Sequence, residues 1–141
     1  MDMDAINRRV IEDFRAGREI GVKGMHRERI CLLTTTGRTS GERHIAPMMF
    51  IRSDRGVLVI ASNNGSPRDP QWYLNLEADP AVHVELPDGP EGTEEWDGTA
   101  EVAYGERREQ LWSRITDAFP FFVDHQAGVE REIPVVELVR A

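Results

Sequence analysis

Ile30-Cys31-Leu32-Leu33-Thr34-Thr35-Thr36 runs directly into Gly37-Arg38-Thr39-Ser40-Gly41, and the reading of this stretch decides the fold. The first seven residues are apolar or β-branched without helical spacing, which suits a strand buried in a sheet. The next five are polar and bracketed by glycine, so the strand stops at a turn. A connection this short brings the chain back antiparallel, and residues 43–52 read as the returning strand. Pro47 inside it predicts an edge position or a bulge, because proline cannot donate to a ladder. Ser53-Asp54-Arg55-Gly56 is a hairpin turn, and Val57 to Ala61, apolar throughout, is a third and central strand.

Upstream, residues 4–16 read as an amphipathic helix with Ile6, Val10, Ile11 and Phe14 on one face. Arg8, Arg9, Glu12, Asp13 and Arg15 lie on the other, and Gly17 is the stop. The loop from 17 to 29 carries Arg18, Lys23, His26, Arg27 and Arg29. It is either a basic cover for an anion or a solvated loop.

Downstream, residues 62–70 (Ser-Asn-Asn-Gly-Ser-Pro-Arg-Asp-Pro) form a loop. Asp69 is the expected cap and Pro70 the expected first position of a short helix over 71–77. Strands follow at 81–86 and 95–103, with a turn over 87–94 between them. A long helix spans 105–119, with Leu111, Trp112, Ile115, Ala118 and Phe119 on its apolar face and Arg107, Arg108, Glu109 and Arg114 outside it. Pro120 breaks it. A second helical piece covers 121–129, and an apolar strand over 133–139 closes the chain. About six mostly antiparallel strands with few helices predict a mainly β (α+β) barrel or curled sheet, with helices covering its openings.

The chain has 141 residues, 40% of them hydrophobic and spread along its length, which predicts a single domain over 1–141 with its own core. Net charge is -8, but residues 1–70 sum to +3 and residues 71–141 to -11. An acidic chain of this kind is not expected to bind nucleic acid, yet its basic half suits one small anion. No apolar run reaches a membrane span, and the acidic start Met1-Asp2-Met3-Asp4 does not read as a secretory signal. With one cysteine, Cys31, the expected location is cytoplasmic.

Self-contained chemistry is hard to find. The glycine-bracketed turn lacks the lysine and spacing of a P-loop, and no nucleophile elbow occurs. His26, His44, His83 and His125 are scattered, so no metal site is expected. Cys31 in an apolar strand reads as an inert buried thiol. A chain of this kind borrows its chemistry from a cofactor. It offers a turn with an arginine, a glycine-containing loop and a Trp72-Tyr73 pair at a helix start. That pair either packs on a flat ring or is ordinary core.

Three segments together carry a resemblance. They are Leu32 to Gly41 followed by Pro47; Ala61-Ser62-Asn63-Asn64-Gly65 through Pro70-Gln71-Trp72-Tyr73-Leu74-Asn75-Leu76 with Asp79-Pro80; and Leu111-Trp112, Phe119-Pro120, His125-Gln126 and Ile133 to Val136. In order and spacing the chain resembles the deazaflavin-dependent nitroreductase family, the A-type branch of the deazaflavin- and flavin-dependent reductases. The resemblance implies a split β-barrel, formed by residues 30–141 behind an N-terminal helix over 1–17. It also implies coenzyme F420, a deazaflavin with a phosphate and an oligoglutamate tail, giving a hydride to a small electron-poor acceptor: a quinone, enone or nitro compound. By position, Arg38, Thr39 and Ser40 would face phosphate and tail. His44, Ile45, Ala46, Pro47, Met48 and Met49 would run along the cofactor, continued by Ile60, Ala61, Ser62 and Asn63. Gln71, Trp72, Tyr73 and Asn75 would sit near phosphate and ring. Phe119, Phe122 and His125 fall where the family places acceptor-pocket tyrosines. Thr39, His44 and Asn63 stand where relatives commonly have basic residues. The alternative is a split-barrel binding protein with an altered ligand such as FMN, and a homodimer is compatible with either.

Overall fold

The computed structural model describes residues 3–141. Its strands are β1 (Ile30–Thr36), β2 (Arg43–Met49), β3 (Ile51–Arg52), β4 (Gly56–Ile60), β5 (Ala81–Asp88), β6 (Gly92–Val102) and β7 (Val135–Arg140). Its helices are α1 (Met3–Arg15), α2 (Gln71–Ala78), α3 (Gly105–Ala118) and α4 (Phe121–Ala127). All strand pairs are antiparallel, and their order across the sheet is β2-β1-β5-β6-β7-β4-β3.

That order forces the shape. The two edges, β2 and β3, are separated in sequence by Phe50 alone. A flat sheet of seven strands would hold its edges about 29 Å apart, and one residue spans roughly 3.5 Å. The sheet must therefore curl until its edges meet at Phe50, which gives a barrel split along that seam. The expected single strand over 43–52 is two strands for this reason. Phe50 leaves the ladder at the corner, and its N–H donates to the Arg29 carbonyl at 3.2 Å.

The β1 side chains alternate between two cores. Cys31 and Leu33 point into the barrel with Val57, Val59, Val84, Val136 and Leu138. Ile30 and Leu32 point outward beneath α1, against Val10 and Phe14. A third core lies under α3 and α4, where Leu58, Ile60 and Val135 meet Leu111, Ile115 and Phe122. Burial pushes the Cys31 thiol up to about 12, so it stays protonated.

Pro47 sits on the edge strand β2, opposite Leu32 of β1, and its missing N–H costs no second ladder. β4 is interior but not central, since only the two-residue β3 lies beyond it. β5 and β6 run further than expected and turn at 89–91. Pro87 lies past the last β5 residue that pairs with β1, so no donor is needed on that side. β7 starts at Val135, because the Ile133 N–H turns aside to Gln126 Oε1 at 2.8 Å.

Three charged residues expected on the surface are buried. Asp13 accepts from Arg9, Arg18 and the Gly21 N–H, and so ties the following loop to α1. Arg27 spends all five guanidinium N–H groups on protein acceptors. They are the carbonyls of Phe14, Gly89, Pro90 and Gly92 and the Thr93 hydroxyl. Arg108 shares the inner face of α3 with Leu111 and Ile115 and donates to the Ile133 carbonyl at 2.7 Å. In its place Ala118 is exposed. Helical spacing marked Leu111, Ile115 and Phe119 correctly, misplaced Ala118 and missed polar groups with buried partners.

The Gly21 N–H and Arg18, with Arg9, outweigh burial and hold the Asp13 carboxyl down at about 2, from an ordinary 3.8. Its folded pKa is the lower one, so its contribution is fully present above pH 3.8 and disappears as pH falls from there to about 2. Asp13→Asn is expected to lower stability at pH 7 by about 1–2 kcal/mol. Denaturant melts at pH 7 and near pH 2 check this, and a deficit of equal size at both would contradict it.

Candidate active site

The barrel seam opens into a cleft of about 1060 Å³. β2 forms its floor. As an edge strand, β2 leaves half of its backbone polar groups without a strand partner. Ile45 to Met49 supply an apolar surface along it.

One end of the cleft is polar. The turn after β1 is closed by two backbone bonds, Gly37 N–H to Glu42 O at 2.7 Å and Gly41 N–H to Gly37 O at 2.9 Å. Gly41 has φ +74°, which favours glycine there. A side chain at Gly37 would stand 2.8 Å from both His44 Nε2 and Ser40 Oγ, so glycine lets these groups converge. Arg38 reaches across to α2. Its Nη1 donates to Asn75 Oδ1 and its Nη2 to Gln71 Oε1, each at 2.8 Å. Both partners are neutral amides. Among the described residues no carboxylate lies within ion-pair distance of Arg38, so its orientation is fixed while its charge stays uncompensated. Asn75 is itself held, accepting from the Arg38 N–H and donating to Thr35 Oγ1.

The other end is aromatic. Phe121, Phe122 and His125 of α4 line it, with ring centroids 4.4 Å apart for the two phenylalanines and 5.4 Å for Phe121 and His125. Ser62 Oγ lies 2.5 Å from His125 Nδ1 and accepts from the Gly65 N–H at 3.2 Å. The Ser62 turn passes through Asn63 and Asn64 at φ 52° and 55°. Arg131 holds this strained backbone, donating to the carbonyls of Ala61, Ser62 and Ser66 and to Asp69 Oδ1.

Of the residues expected along a cofactor, Arg38, Thr39, Ser40, His44 to Met49, Ile60, Ser62, Asn63, Gln71, Trp72 and Asn75 line this one cleft. Ala61 and Tyr73 do not, being buried in the barrel core. The Ala61 N–H is used by Pro134 O, and Tyr73 meets Trp72 edge-on from behind. Phe119 packs under α3, away from the cleft, while Phe122 and His125 line it with Phe121. Asp69 pairs with Arg131 instead of capping α2, and Pro70 occupies the cap position.

The basic loop over 17–29 contributes Lys23 to the cleft. Arg18 is bound to Asp13, Arg27 is enclosed, and Arg29 lies over the Phe119 ring at 5.7 Å. The first turns of α1, with Ile6 and Asn7, also line the cleft. Sequence reasoning placed this helix apart from the site. Its apolar stripe was the available signal, since Ile6 lies on the face that packs toward β2. Arg131 was also missed, and a lone arginine ahead of the last strand carries no pattern. Among the described residues no group of three or more metal-ligating side chains is gathered, and no helix is long and apolar enough to cross a membrane.

The profile of a family described as F420H(2)-dependent quinone reductase matches residues 7–139. Rv3178 of Mycobacterium tuberculosis, named provisionally for the same activity, is 36% identical over 107 residues, covering 76% of this chain and 86% of its own. A solved structure titled as an F420-H2 dependent reductase, FDR-A, is 35% identical with a TM-score of 0.66, over 77% of this chain and 91% of that one. A second, titled as a domain-swapped dimer, is 32% identical with a TM-score of 0.69, over 95% and 96%.

Proposed function

Because the chain belongs to the F420H(2)-dependent quinone reductase family, we propose that it holds reduced coenzyme F420 in the seam cleft and directs its hydride to a quinone. The carrying observation is Arg38, a charged group oriented by two neutral amides at the polar end of a cleft whose far end is aromatic. The lining fits such a ligand. The volume of about 1060 Å³ lies at the upper end of the roughly 300–1,000 Å³ of ordinary small-molecule sites, which suits a large ligand. The coenzyme supplies the hydride, and the residues of this chain bind and orient.

In this reading Arg38, Ser40 and the neighbouring His44 would receive phosphate and tail, with Lys23 also on the cleft lining. These contacts, His44 among them, would stand in for the basic residues commonly found where Thr39, His44 and Asn63 stand. The apolar run Ile45 to Met49 and the Trp72 indole flank the ring and keep water from it. The acceptor would lie at the aromatic end of the cleft, against Phe121 and Phe122. Phenylalanine there favours flat, apolar acceptors such as quinones. Nitro and enone compounds extend the same class, with fewer hydroxyl donors to meet them. FMN, the other ligand considered, has no counterpart in the names of these relatives. The reading treats the chain as one cofactor-binding unit working in the cytoplasm, and the dimeric neighbour suits a homodimer.

Anaerobic protein mixed with reduced F420 is expected to be silent until a soluble quinone is added, and then to regain the absorbance of the oxidised coenzyme. Oxidation at the protein-free rate would overturn the reading.

A further inference from the structure

The aromatic end of the cleft carries a histidine, a side chain whose two ring nitrogens can hold and pass on a proton. His125 lies on α4, and its Nδ1 is 2.5 Å from Ser62 Oγ. Ser62 is 3% exposed, and its carbonyl is bound by Arg131 Nη2 at 2.8 Å. The hydroxyl oxygen already accepts from the Gly65 N–H, and it has a second lone pair for a proton on Nδ1. Gly65 has φ +76°, which favours glycine in the turn that packs against the imidazole. With Nδ1 engaged, Nε2 is the remaining proton-bearing atom of the ring.

The charged groups around this pair do not compete for it. Arg131 and Asp69 neutralise each other beneath the turn at 2.8 Å. Arg108, on the packed helix α3, is engaged by Glu109 and Glu132. On α4 itself Asp124 is exposed. Asp4, Lys23, Arg38 and His44 also line the cleft.

We propose that His125, oriented by Ser62, is the general acid that protonates the acceptor oxygen after hydride transfer, an assignment that rests on the reductase reading above. When the quinone receives the hydride and its electron pair at one carbonyl oxygen, an O–H bond forms there, that C=O π bond opens, the ring becomes aromatic and the negative charge settles on the other oxygen. The imidazolium Nε2–H bond breaks, its electrons stay on the ring, and an O–H bond forms on the acceptor. The ring is left neutral with Nδ1–H still donated to Ser62 Oγ, and a proton from solvent restores it. Ser62 is a positioning residue, and Arg131 fixes Ser62.

The test compares wild type, His125→Gln and His125→Ala in single turnovers of protein preloaded with reduced F420 and mixed with a quinone. Coenzyme affinity is measured separately by calorimetry. Both variants are expected to reduce the quinone at least about 100-fold more slowly, within the range for a lost general acid, with coenzyme affinity within twofold of wild type. Added imidazole is expected to restore part of the rate of His125→Ala, which a packing role would not do. His125→Gln at the wild-type rate would overturn the proposal, as would a slow His125→Ala that imidazole leaves unchanged. Wild type that binds coenzyme but never passes electrons to the quinone would instead overturn the reductase reading.

Discussion

Replacing Arg38 by glutamine is expected to weaken coenzyme F420 binding about 10- to 100-fold while leaving the fold intact. A charge-assisted bond is worth roughly 1.5–3 kcal/mol, which sets that range. The structure adds a reason to expect its upper part. Asn75 and Gln71 hold the guanidinium through neutral oxygens, so an arriving anion has no carboxylate to displace. Stability changes little, because Arg38 is exposed and Asn75 Oδ1 keeps the N–H of residue 38. Calorimetric titration at two salt concentrations checks the point. Wild-type affinity is expected to fall with salt and that of the variant to fall less. Equal affinity in both proteins would make the turn a structural device only.

The second large effect falls on stability. Arg27→Met is expected to destabilise the fold by about 3–5 kcal/mol, the scale seen when a buried charged group loses its network. Arg27 is 3% exposed, and its guanidinium carbon lies 4.8 Å from the Phe14 ring centroid. Its acceptors belong to the end of α1 and to the β5–β6 turn, which it ties together. Methionine fills much of the volume and leaves the carbonyls unpaired, so the loss reports hydrogen bonding rather than a cavity. A melting temperature lower by roughly 10–17 °C corresponds to this loss in a chain of this size. Unchanged melting would mean that water replaces the guanidinium at every carbonyl.

Backbone chemistry made much of the fold legible. Pro47 predicted an edge position or a bulge and lies on the edge strand β2, and the run at 30–36 predicted a strand buried in the sheet, which β1 is. The corner at Phe50 was not legible, because an apolar residue between two strand-like stretches carries no turn signal. Closure there follows from pairing order, which is not local. The cleft was legible where its residues cluster in sequence, as in 38–40 and 44–49. It was illegible where membership depends on helix phase. Phe121 lines the cleft and Phe119 does not, a difference set by the break at Pro120. The buried polar hubs at Asp13, Arg27 and Arg108 lay outside the sequence reading, since each finds its partners through distant backbone.

The account stands on one claim, that the cleft at the barrel seam holds coenzyme F420. Calorimetric titration of the purified protein with the coenzyme tests it most directly. Saturable binding of one coenzyme per chain, weakened by salt, is the predicted result. Absence of binding up to high micromolar coenzyme would contradict it.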